Sequence, residues 1–110
     1  MIYDCPMTDL RNVPSSFDAI RTSLQARAIL DVLAKERSSN SHVLTTWLAA
    51  IGLGASNRSL SDLLDRLERD DLVRLEQVDG YHVVHLRRLG GEVASGSESR
   101  DWIAKPELPE

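Results

Sequence analysis

The sequence predicts a mainly α-helical domain that ends in a β-hairpin, the winged helix-turn-helix arrangement, over residues 15–96. Three observations lead there. Three stretches carry apolar residues at helical spacing. A glycine-rich turn, Gly52-Leu53-Gly54, separates the second stretch from the third, as in a helix-turn-helix. After the third, the period drops from 3.6 to 2, and Asp79-Gly80 sits between two alternating runs, a strong hairpin signal.

Taken in order, residues 1–14 read as an irregular segment punctuated by Pro6 and Pro14. A first helix is expected from Ser15 as N-cap, with Asp18 three residues on. Its apolar stripe runs through Phe17, Ile20, Leu24 and Ala28 into the dense run Ala28–Leu33. A Ser-Ser-Asn-Ser loop follows, and Ser41 is the expected cap of the second helix. Leu44, Trp47, Leu48 and Ile51 fall on one face of that helix, which makes Trp47 a core residue. Ser56 caps the third helix, over 57–70, whose core face is Leu60, Leu63, Leu64 and Leu67. Residues 73–78 and 81–86 form the wing, and both turn residues tolerate positive φ. A short last helix over 88–95 is weakened by Gly90-Gly91. The tail, 97–110, is polar, but Trp102, Ile103 and Leu108 suit it as a packing anchor or a partner contact.

Composition narrows the function classes. The chain has 110 residues, 42% hydrophobic and 27% charged, with a net charge of −4. One domain is the natural expectation at this length. Proteins that grip DNA through phosphates usually carry a basic excess, and this chain has none. No apolar stretch approaches the roughly 20 residues of a membrane span, so no membrane association is expected. Residues Met1 to Pro6 lack the pattern of a secretory leader, and the lone Cys5 cannot close an internal disulfide. Both fit a cytoplasmic protein.

If the third helix reads DNA, it enters the major groove. Its outward face is Arg58, Asp62, Asp65 and Arg69, flanked by Ser61 and Arg66; Arg58, near the helix N-terminus, is the best candidate for a base-edge or phosphate contact, and Asn57, Ser59 and Ser61 can donate to phosphates. Arg74, Arg87 and Arg88 at the wing base would hold the backbone. Against this, Arg58–Asp62, Asp62–Arg66 and Asp65–Arg69 are i,i+4 pairs of opposite charge that can neutralise one another. Across residues 57–88 six arginines face seven acids. Phe17, Ile20 and Leu24 offer more apolar surface than a small domain buries, and they are the expected homodimer interface.

No metal site, cofactor or catalytic constellation is expected. His82 and His85, three apart on a strand, point to opposite faces, and His42 stands alone. Gly52-x-Gly54 lacks the further glycines and lysine of a phosphate loop. Asp70-Asp71 reads as a turn after the third helix.

The run Ala28–Ala34, the Leu48–Gly54 turn, the leucines 60, 63, 64 and 67 with Glu68 before Asp71-Leu72-Val73, and Leu89–Gly96 resemble the small winged-helix proteins of Mu-like phages and prophages, often labelled arsenic-repressor-like regulators. The resemblance covers roughly residues 24–96, and the Gly-Leu-Gly turn is its most distinctive part. It implies a phage-associated winged helix without a defined biochemical activity. Two functions follow as expectations. One is a DNA-binding, transcription-regulating protein that uses helix 57–70. The other is a protein-interaction module of phage assembly or packaging that does not bind DNA.

Overall fold

A computed structural model describes the backbone of residues 4–105 and the side chains of residues 17–105. Within them the elements run α1 (Asp4–Glu36), β1 (Ser38–Asn40), α2 (Ser41–Ala50), α3 (Asn57–Arg69), β2 (Val73–Val78), β3 (Tyr81–Leu86) and α4 (Arg88–Ser95). Four helices pack with one antiparallel sheet of order β1-β3-β2, an arrangement compatible with a winged helix.

Helix α1 departs from expectation at its start. It begins at Asp4, so helix replaces the irregular segment read over 1–14 from that residue on, and Ser15 lies inside the helix instead of capping it. Pro6 falls in the first turn, where no intrahelical N–H is needed. Pro14 is interior and leaves the carbonyl four residues back without its bond. The C-terminal half of α1 supplies the core: Ala26, Ile29, Leu30 and Leu33 are fully buried. They meet Leu44 and Leu48 of α2, the four α3 leucines, Leu72, Val73, Val84 and Val93. Trp47 packs on this cluster only half-buried, and Ile51, at 45% exposure, turns away from it.

The stretch read as a Ser-Ser-Asn-Ser loop contains β1. Its three residues pair with β3 in the register Ser38↔His85, Ser39↔Val84, Asn40↔Val83. Polar sequence hides the strand because its stability comes from β3's backbone and not from its own side chains. Asn40, not Ser41, caps α2, accepting from the Val43 amide at 2.8 Å. The Ser41 hydroxyl serves the sheet instead: it accepts from His82 N at 3.1 Å, just where β1 has ended. On the opposite edge, the Glu68 carboxylate accepts from Leu75 N at 2.9 Å and covers an exposed strand amide.

The hairpin forms as expected, with Val78↔Tyr81 closing a two-residue loop. Only Gly80 takes positive φ (+78°), so Asp79 does not use the left-handed freedom credited to it. Two helices end in the same backbone motif. After α2, Gly52 N bonds Ala49 O and Leu53 N bonds Leu48 O, with Gly52 at φ +84°. After α3, Asp71 N bonds Glu68 O and Leu72 N bonds Leu67 O, but the left-handed position (φ +65°) is held by an aspartate.

Helix α4 forms despite its two glycines, and Gly90 shows why one is there. A Cβ at this position would lie 2.1 Å from the Leu72 carbonyl oxygen, so only glycine lets α4 reach the turn before β2. Arg27, 7% exposed, ties the other end of α4 to α1. Its guanidinium donates to the carbonyls of Val93 (3.1 Å) and Ala94 and to the Asp31 carboxylate. A cation at a helix C-terminus is favoured by the dipole as well as by these bonds.

Candidate interaction surfaces

Three surfaces are built on this frame: the outward ridge of α3 with the wing beside it, the tail strapped across α3 and α1, and the open face of α1.

Helix α3 is amphipathic in the expected sense, with its four leucines sealed and Arg58, Asp62, Asp65 and Arg69 exposed. Ser56 caps it, its hydroxyl accepting from Ser59 N at 3.0 Å. The neutralising pairs do not form. Among the described residues, ion pairs join Arg27–Asp31, His85–Glu76, Arg87–Asp71, Arg88–Glu92 and Arg100–Asp70, and none links two residues of the α3 ridge. Exposed pairs of this kind gain little over the entropy of two free side chains.

The predicted contact residues are spread over separate places. Asn57 and Ser61 lie on the flank toward the wing tip, sharing a groove with Tyr81 and His82. The rings of His42 and Tyr81 meet there, with centroids 5.7 Å apart. Arg58 stands on the outward ridge with Asp62, and Ser59 is committed to the N-cap. Arg66 is on the opposite flank, its guanidinium 4.0 Å over the Trp102 ring. Arg87 and Arg88 gather near Asp71 at the far end of α3, and both are engaged, at 3.8 Å to Asp71 and 3.5 Å to Glu92. Arg74 is exposed on the edge strand β2, opposite His85. The helix end carrying Arg58 therefore faces the wing tip, and the wing-base arginines sit a helix length away, about 20 Å at 1.5 Å per residue.

The described part of the tail, through residue 105, packs on the domain. Ile103 is 4% exposed and belongs to the core, Ala104 N bonds Ser23 O of α1 at 3.3 Å, and Trp102 Nε1 donates to Asp70 Oδ2 at 2.7 Å. Of the anchors expected there, Trp102 and Ile103 are placed, and Leu108 lies outside the described residues.

Sequence reasoning missed the two α1 side chains that position the α2–α3 turn. Gln25, 6% exposed, donates from Nε2 to Leu53 O (2.9 Å), and Arg21 donates to Gly54 O (2.6 Å). A polar residue inside an otherwise apolar helix stretch was the available signal.

The remaining surface is apolar. Phe17, Ile20 and Leu24, the expected dimer residues, are 58%, 57% and 42% exposed on one face of α1. Beside them Ile20, Leu24, Trp102 and Ala104 wall an open groove of about 490 Å³, rimmed by Asp18, Arg66 and Asp101.

Among the described residues no group of three or more His, Cys, Asp or Glu side chains is arranged to hold a metal ion, and no helix is long and apolar enough to cross a membrane. No family model matches the chain, and neither do any curated proteins or solved structures.

Proposed function

We propose that this chain is a winged-helix module that works by docking protein through α1, and that a second copy of itself is among its partners. The observation that carries this reading is the exposed stripe Phe17-Ile20-Leu24 running into the Trp102 groove. Contiguous exposed apolar surface with a polar rim marks an association site. The α3 ridge gives nothing comparable. It presents two arginines and two carboxylates, and Arg87 and Arg88 of the wing base are paired with Asp71 and Glu92. DNA affinity scales with the phosphates a surface neutralises. A near-neutral surface releases few counterions. The resemblance to Mu-like phage proteins suits a module of phage assembly or packaging.

A second reading is favoured by one specific observation. Arg58, Arg69 and Arg74 are exposed and make no ion pair among the described residues. These are the side chains a DNA-binding regulator would use, Arg58 at the base-reading end of α3. Fluorescence anisotropy with random and phage-genome duplexes at low and moderate salt separates the two. The docking reading expects binding no tighter than about 100 μM, in the weak non-specific range. Submicromolar binding that Arg58→Ala weakens tenfold or more would replace it with the regulator.

A further inference from the structure

Charge is spread unevenly over this chain, whose net is −4. Between α1, the C-terminal end of α4 and the tail lies a pocket of about 270 Å³. Its wall carries Arg27, Arg100 and Lys105 against the single carboxylate of Glu98. Its floor is apolar: Val93 and Ile103 are core residues, and Ala104 closes one side. The pocket shares only Ala104 with the Trp102 groove, so the two are separate places.

The fold positions two of the three cations. Arg27, 7% exposed, is fixed by the Val93 and Ala94 carbonyls and the Asp31 carboxylate. These bonds use four of its five N–H groups, and the fifth, on Nη1, has no partner among the described residues. Arg100 donates to Ser99 O at 2.9 Å and approaches Asp70 at 4.0 Å, which leaves most of its fork open. Asp31 and Asp70 hold these guanidiniums from outside the pocket wall. Lys105 is exposed and makes no ion pair among the described residues. Exposed cations alone hold an anion weakly. A buried guanidinium in the wall changes that, because water competes less for its bonds.

We infer that this pocket binds a small aliphatic monocarboxylate, its carboxylate among Arg27, Arg100 and Lys105 and its short chain against Val93 and Ile103. Three features select that class. Guanidinium groups offer parallel N–H donors that match the two oxygens of a carboxylate. The apolar floor rewards a hydrocarbon body, which inorganic anions lack. Glu98 in the wall disfavours a second negative charge on the ligand. The volume is small for a ligand pocket, so the acid is short and its affinity millimolar. One wall belongs to the tail and the other to α1 and α4, so the bound acid bridges them and stabilises the docked tail.

The test is a heteronuclear NMR titration of the full-length chain with sodium butyrate at constant ionic strength, with butyramide, phosphate and chloride as comparison probes. Butyrate is expected to give saturable shifts at Gly96 and residues 98–105, with a dissociation constant on the order of 1 mM. Butyramide has the same shape without the charge and is expected to bind about tenfold more weakly or worse. Lys105→Gln is expected to weaken butyrate about threefold and Arg100→Gln about tenfold, each with the amide spectrum away from the pocket unchanged. Arg27 stays in place in this test, because its removal would also detach α4 from α1. Shifts that rise linearly and match those of chloride would overturn the site, as would butyrate binding that both variants leave unchanged. Phosphate bound more tightly than butyrate would overturn the carboxylate as its class. None of these outcomes touches the docking reading, which rests on the other face of the tail and on α1.

Discussion

The two halves of α1 carry similar apolar spacing and meet opposite fates. From Gln25 to Leu33 the helix is the centre of the core, with Ala26, Ile29, Leu30 and Leu33 sealed and even Gln25 and Arg27 buried against backbone carbonyls. From Phe17 to Leu24 the apolar residues face water. Periodicity identifies an apolar face, but what covers the face is a matter of tertiary arrangement. The body of the domain covers Ala26 to Leu33 and leaves Phe17, Ile20 and Leu24 exposed.

Substitutions should separate the halves by stability and association. The largest loss is expected in the sealed half: Leu30→Ala should cost about 3 kcal/mol of unfolding free energy, since the cavity adds to the lost transfer term. Gly90→Ala, which drives a methyl group into the Leu72 carbonyl, should cost about 2–3 kcal/mol, both losses being read by urea titration. Trp102→Ala should cost about 1–2 kcal/mol, because it removes the bond to Asp70, the contact with Arg66 and the ring's packing on the core. Asp71→Gly should stabilise by about 0.5–1 kcal/mol, relieving a left-handed aspartate at a position glycine favours. The smallest change belongs to the open half. Phe17→Ser should alter monomer stability by less than about 0.5 kcal/mol while abolishing association. A loss there like that of Leu30→Ala would erase the distinction between the halves.

Much of this was legible in the sequence because the signals were side-chain patterns. The α3 leucines, the Ser56 cap, the Asp79-Gly80 hairpin and the exposed Phe17, Ile20 and Leu24 are of this kind. What was not legible depends on backbone partners or on long-range packing. β1 has no apolar residue to announce it. Gly90 looked like a helix breaker and is a close-approach residue. The turn at Asp70-Asp71 was readable, but not that Asp71 takes its left-handed position, while Gly52 in the same motif was readable at once. The i,i+4 charges on α3 had the right spacing for pairing, but spacing permits an ion pair without enforcing it. Arg66 instead went to Trp102, 36 positions along the chain, a contact no local pattern encodes.

The difference between the halves of α1 can be read directly by amide hydrogen exchange at two protein concentrations, about 5 μM and 500 μM, on either side of a micromolar dissociation constant. The account predicts that amides from Phe17 to Leu24 gain protection at the higher concentration, while those from Ala26 to Leu33 and along α3 stay as they are. Protection of Phe17–Leu24 that does not depend on concentration, or a concentration-dependent change confined to α3 and the wing, would contradict it.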